Sequence, residues 1–199
     1  TLPRADAAWI DGFLDGLLAL AGEHGIALVG GDTTRGPLSL SVTAMGFVDA
    51  GSALRRDGAQ VGDDVWVAGT LGDAAGALVL LDREPAHPLR SRLDRPTPRV
   101  HAGRAVGARA SACVDVSDGL LADLGHICAR SEVGARIEIR SLPASEALRD
   151  AFDDVARAAL QAAGGDDYEL CFTADAPHRE GIASLASRLG LRVTPIGHG

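Results

Sequence analysis

The feature that most constrains the fold is a change of period between Ala112 and Ile127. Ala112–Val116 is an apolar run of strand length, interrupted by one acid, Asp115. It breaks into Ser117-Asp118-Gly119 and continues with Leu120, Leu121, Leu124 and Ile127 at helical spacing. A period near two that becomes one near 3.6 predicts a strand feeding a helix.

The same grammar recurs along the chain. Ala7–Glu23 carries a helical apolar stripe (Ile10, Phe13, Leu14, Leu17, Leu18, Ala21), with Gly25 as a stop signal. Ile26–Val29 reads as a short strand, Gly30–Pro37 as a turn-rich loop, and Leu38–Phe47 as a strand with one buried face. The stretch Asp49–Asp63 is rich in Gly, Asp and Arg and predicts a domain boundary, with domains over 1–49 and 50–199. Beyond it, strands are expected at Val65–Ala68, Ala135–Ile139, Glu169–Thr173 and Arg192–Ile196. Helices are expected after Gly69 to Leu81, at Val100–Ala110, through most of Ala144–Ala163, and at Arg179–Leu189. Asp82–Pro98, with Pro85, Pro88, Pro96 and Pro98, reads as irregular. Interspersed strands and helices make the class α+β or α/β, with a mixed sheet packed by helices in the second domain.

Bulk properties exclude several function classes. An apolar fraction of 46% and a charged fraction of 23% are those of a globular domain. No apolar run reaches the length of a membrane span, and the N-terminus lacks a signal-peptide layout. A net charge of −8 argues against general nucleic-acid binding, although metal ions can bridge an acidic protein to a nucleotide. Cys113, Cys128 and Cys171 form no C-x-x-C pair and read as buried free thiols of a cytoplasmic protein, without zinc. The first residue is not Met, and a fragment or processed chain is expected.

Four short clusters carry candidate chemistry. Asp115 and Ser117 should point to one side of an extended segment, with Asp118 at the mouth of the following helix. The group offers two carboxylates for a hard cation, and a hydroxyl plus helix-terminal amides for a phosphate. Ordinary helix capping is the commoner reason for such a Ser and Asp, but a strand-interior Asp115 is costly without a partner. Gly30–Gly36 (GGDTTRG) adds Asp32 beside glycines that permit close ligand approach, and its plain alternative is a polar loop. Gly164–Leu170 (GGDDYEL) sets two acids, Asp166 and Asp167, and the only tyrosine before a strand, and its plain alternative is a solvated turn. Arg55-Arg56-Asp57-Gly58 is a basic turn whose Arg56 matters if phosphates are near. Acid-rich glycine loops at strand ends, with no Walker motif and no nucleophile–His pair, suit metal-assisted phosphoryl transfer more than acyl transfer.

The segments LVGGDTTRGPLSLSVTAMG, RRDGAQVGDDVWVAGTLGDAAGAL, VDVSDGLLADLGHIC and GGDDYELCFT, in that order, resemble the thiamine-monophosphate kinase family. The resemblance implies a two-domain fold shared with aminoimidazole ribonucleotide synthetase and selenophosphate synthetase, with pairing of the first domain in a homodimer. It implies ATP and thiamine monophosphate as substrates, several Mg²⁺ ions, and direct phosphoryl transfer without a covalent enzyme intermediate. On the matching positions, Asp32, Asp115 and Asp118 resemble the family's metal ligands. Gly31, Asp32, Arg56 and Ser117 resemble its nucleotide contacts. Asp166 stands where many relatives carry Glu, at a position that contacts the thiamine substrate. The family's N-terminal metal loop and C-terminal aromatic contact have no counterpart, so the chain is expected to start inside the first domain and to stop short of the last contact. An inactive nucleotide-binding or dimerisation module, and another ATP-using enzyme of the same superfold, are the alternative readings.

Overall fold

The computed structural model describes residues 1–199 and divides into two compact units, Thr1–Val48 and Asp49–Gly199.

The first unit is built on helix α1, Ala7–Glu23, the span its apolar stripe predicts. Asp6 caps it by accepting the Trp9 N–H at 3.2 Å, and Trp9 stacks on Phe13 one turn later. Residues 34–36 lie beside Leu2, with Leu2 N–H donating to Thr34 (2.9 Å) and Gly36 N–H donating to Leu2 (2.9 Å). The strands expected at Ile26–Val29 and Leu38–Phe47 do not form, and Leu28, Leu40 and Val42 stand exposed. Alternation alone cannot make a strand: without a neighbour to exchange hydrogen bonds, the apolar face has nothing to pack on.

The second unit is a five-stranded sheet covered by helices. Its strands are β1 (Asp64–Ala68), β2 (Ala112–Asp115), β3 (Arg136–Ile137), β4 (Leu170–Ala174) and β5 (Val193–His198), in the order β2-β4-β1-β5-β3. All pairings are antiparallel, so the class is α+β and the sheet is not mixed as expected. Central β1 is buried throughout and alternates between two cores. Val65 and Val67 face a cluster with Val114, Val116, Leu120, Leu124 and Ile127, the last three from α5 (Leu120–Ser131). Trp66 faces Phe172, Val106 of α4 (Val100–Val106), and Ile182 and Leu185 of α8 (Arg179–Leu189). Coverage on both sides explains why β1 reads as a continuous apolar run.

A third cluster joins Ala77 of α2 (Asp73–Leu80) to Leu89, Ala144 and Leu148. The proline-rich segment, expected to be irregular, holds one short helix, α3 (Arg90–Asp94), with an Arg90–Asp94 ion pair of 2.7 Å across its single turn. The helical stretch expected over Ala144–Ala163 is two helices, α6 (Glu146–Ala151) and α7 (Asp154–Ala163). Each has its own side-chain cap: Ser145 accepts Leu148 N–H, and Asp153 accepts Ala156 N–H. No helix is long and apolar enough to cross a membrane.

Candidate functional site

Strand β2 lies at the sheet edge and pairs only with β4. Asp115 ends it, opposite Leu170, and is exposed. The expectation of a costly strand-interior acid is therefore corrected, because the carboxylate projects where water solvates it. It accepts no hydrogen bond from the chain, and neither does the exposed carboxylate of Asp118. Val116 between Asp115 and Ser117 is fully buried, so the alternation expected here holds.

Beside β2 opens a cavity of about 680 Å³ whose wall includes Arg55, Arg56, Asp57, Arg130 and Asp115. Arg55 is bound by Asp57 through two bonds of 2.8 and 2.5 Å, while Arg56 and Arg130 form no ion pair. Backbone bonds place Arg56. Cys113 N–H donates to Arg55 at 2.9 Å, and the Ser131 hydroxyl donates to the Arg56 carbonyl at 2.9 Å while accepting Ala59 N–H at 3.1 Å. Cys113, also on the wall, is inert at neutral pH, since burial and then the Asp115 charge push its thiol up to about 11.

After Val116 the chain turns through Ser117-Asp118-Gly119 into α5. Gly119 caps the helix with no side chain, at φ 123°, and a Cβ there would stand 2.8 Å from the Ala163 carbonyl oxygen. Neither Ser117 nor Asp118 caps α5. Buried Asp123, inside the helix, accepts the N–H groups of Ser117, Asp118 and Gly119 on one oxygen. The amides of Ser117, Asp118 and Gly119 are thus already bonded within the chain.

The GGDDYEL segment packs directly against this turn. Val116 N–H donates to Glu169 (2.8 Å), Tyr168 N–H to Val116 (2.8 Å) and Asp166 N–H to Ser117 (2.9 Å). Asp166 and Tyr168 hold left-handed backbone angles, φ 65° and 50°, unusual for residues with side chains. Both are exposed, and the Tyr168 hydroxyl donates to Asp166 at 3.3 Å. The segment is no solvated turn, because Asp167 and Glu169 between and beyond them are buried. Asp167 accepts Gly72 N–H (2.6 Å) and Ala74 N–H (3.3 Å) at the start of α2, and burial pushes its carboxyl up to about 7. Glu169 is gripped by Arg99 through two 2.6 Å bonds and by Arg92 at 2.7 Å.

Of the sequence-predicted residues, Asp115, Ser117, Asp118 and Asp166 thus lie along one edge of the second unit, and Arg56 shares a cavity wall with Asp115. Gly31 (φ 145°) and Asp32 belong to the first unit, on an exposed loop. Free carboxylate oxygens at Asp115 and Asp118 are the donors a hard divalent cation takes. Ligand atoms of Asp118, Asp123 and His126 also lie within 4.8 Å of one another. Asp123, Glu169, Arg130 and Ser131 escaped the sequence reading, and Asp167 entered it only as one of the two acids of GGDDYEL. Asp123 had a signal, since it falls on the apolar stripe Leu120–Leu124–Ile127 where an acid has no business without partners.

Residues 60–198 match the family described as AIR synthase related protein, C-terminal domain, and residues 1–48 match its N-terminal domain. The chain belongs to the AIR synthase related protein family. Within that family it is 43% identical to the thiamine-monophosphate kinase of Salmonella typhimurium over 204 residues, 99% of this chain and 63% of the relative. The solved thiamine-monophosphate kinase of Stenotrophomonas maltophilia K279a superposes with a TM-score of 0.96 at 56% identity, over 100% of this chain and 66% of that one. AaThiL complexed with AMPPCP and TMP superposes at 0.78 with 27% identity, over 100% of this chain and 64% of that one. The chain thus spans a little under two thirds of the length of these AIR synthase related proteins.

Proposed function

We propose that the protein acts as a thiamine-monophosphate kinase, making thiamine diphosphate and ADP from thiamine monophosphate and ATP with Mg²⁺. The observation that carries this reading is the Asp166–Ser117 backbone bond of 2.9 Å, which sets the Asp166–Tyr168 loop beside the unbonded carboxylates of Asp115 and Asp118. Similarity to proteins named for this activity, and to AaThiL with its two ligands, supports it.

In this reading a phosphate oxygen of thiamine monophosphate attacks the γ-phosphorus of ATP. The bond to the β–γ bridging oxygen breaks, and ADP leaves with the electron pair. Asp115 and Asp118 of the second unit, and Asp32 of the first, would each serve as a Mg²⁺ ligand, and the metal would supply charge neutralisation for the transferring phosphoryl group. Gly31, Ser117 and Arg56 meet the nucleotide, and Arg56 is suited to phosphate because no carboxylate of the chain engages it. Asp166 meets the thiamine moiety. Transfer needs no nucleophile from the chain, so positioning and charge neutralisation do the work. Residues 1–49 belong to an ATP-binding and dimerisation domain, 50–199 to the C-terminal domain, and the protein works as a cytoplasmic homodimer.

The test is an assay of residues 1–199 and of an N-terminally extended protein with ATP, MgCl₂ and thiamine monophosphate. Thiamine diphosphate should form with the extended protein, require all three, and stop on chelation of the metal. No product from the extended protein would overturn the reading.

A further inference from the structure

Asp123 is 3% exposed and belongs to the buried face of α5. One of its carboxylate oxygens, Oδ2, accepts three consecutive backbone N–H groups, from Ser117 (2.9 Å), Asp118 (3.0 Å) and Gly119 (3.1 Å). Three amides converging on one oxygen force the backbone into a tight concave turn of the kind that holds an anion. Here the anion is part of the protein. Bonds to an ionised acceptor are about twice as strong as neutral ones, so the turn is held more firmly than loop packing alone would hold it.

The consequence lies on either side of the turn. Asp115 precedes it on the last rung of β2, paired with Leu170. Asp118 lies within it. Ser117 is also held from its other end, its carbonyl accepting Asp166 N–H at 2.9 Å. The amides of 117–119 are drawn inward to Asp123, and the Asp118 carboxylate stays unbonded and exposed. The same arrangement occupies the three amides of the turn before α5.

We infer that Asp123 is a positioning residue for cation binding at this edge: it holds Ser117–Gly119 in the shape that leaves the Asp118 carboxylate unbonded and exposed, three residues after the exposed carboxylate of Asp115. It acts through the backbone of the turn. The inference rests on the reading of Asp115 and Asp118 as metal ligands given above.

The experiment compares the wild-type protein with Asp123→Ala and Asp123→Asn by NMR, following amide exchange and a Mg²⁺ titration without nucleotide. In Asp123→Ala, exchange at Ser117, Asp118 and Gly119 should quicken at least tenfold while the β1 amides keep their protection. The Mg²⁺ concentration that half-saturates the shifts at Asp115 and Asp118 should rise at least tenfold. Asp123→Asn, which keeps the shape and one acceptor oxygen without the charge, should fall between, and it carries the comparison if the Ala variant unfolds. Faster loop exchange with an unchanged Mg²⁺ midpoint would overturn the inference, leaving Asp123 a purely structural cap. A wild-type protein whose Asp115 and Asp118 signals ignore millimolar Mg²⁺ would instead overturn the metal-site reading on which it rests.

Discussion

Gly72 donates its backbone N–H to the Asp167 carboxylate at 2.6 Å, tying the start of α2 to the loop that carries Asp166. Burial makes the ionised form of this acid costly in the fold, and its pKa rises from the ordinary 3.8 to about 7. Between those values the folded chain keeps a proton that the unfolded chain releases. Stability from this group is therefore complete below pH 3.8 and is lost as pH rises towards 7. At about 1.4 kcal/mol for each pH unit separating the two values, the loss is on the order of a few kcal/mol. Urea unfolding of the wild type and of Asp167→Asn should show the wild-type advantage shrinking from pH 5 to about pH 7 and level above it. An advantage that grows with pH would refute this.

Glu169 is fully buried and engages both Arg99 and Arg92. Removing one partner of a buried ion cluster strands the others. Glu169→Gln should cost about 3 kcal/mol, at the low end for buried pairs because both arginines keep partial contact with water. A lowered denaturant midpoint at unchanged slope would register it, and a loss under about 1 kcal/mol would show that the cluster does not clamp the sheet to α3 and α4.

A Cβ at Gly165 would stand 2.4 Å from the Ser117 carbonyl oxygen, a backbone atom that cannot swing aside. Gly165→Ala should destabilise by about 1–3 kcal/mol. On the proposed function it should also raise KM for thiamine monophosphate more than KM for ATP, because it parts the Asp166 loop from Ser117. Steady-state kinetics with each substrate varied decides between that and a uniform loss.

These positions show how far the sequence could be read. Helices α1 and α8 were legible to the residue because apolar stripes of full length carry them. Asp115 could be picked out as an acid in an apolar run, and Ser117, Asp118 and Asp166 by the glycines beside them. The strand expected at Leu38–Phe47 was read from one chain's alternation, which says nothing about whether a ladder partner exists. The roles of Asp167 and Glu169 were not legible because their partners are backbone amides and arginines far along the chain. Asp167 lies 95 residues from Gly72, and Glu169 lies 77 from Arg92. Local periodicity carries no trace of such pairs.

Asp115 is exposed and unbonded, so Asp115→Asn should move stability by no more than about 0.5 kcal/mol. If it holds Mg²⁺, formation of thiamine diphosphate should fall by at least about 100-fold, roughly 2.7 kcal/mol of barrier. Normal turnover in a normally folded variant would remove Asp115 from the site.

Ser131 acts on Arg56 through the backbone, bonding the Arg56 carbonyl and Ala59 N–H. Ser131→Ala loosens that turn by about 1 kcal/mol, which corresponds to an increase of about fivefold in KM for ATP with kcat retained. Equal falls in kcat for all substrates would assign the serine to stability alone.

The strand order has a consequence for how the chain comes into being. Central β1 has β4 on one side and β5 on the other, and Val65 finds its partners only in Thr173 and Gly197. At about 5–20 residues per second, a ribosome leaves Val65, Trp66 and Val67 without neighbours for roughly 5–20 s before Thr173 is even made. The middle of the sheet is the first strand of the second unit to be synthesised and among the last to be paired. Its nascent form therefore waits, apolar and unladdered, for residues more than 100 positions later in the chain, a closure of the non-local kind that slows folding.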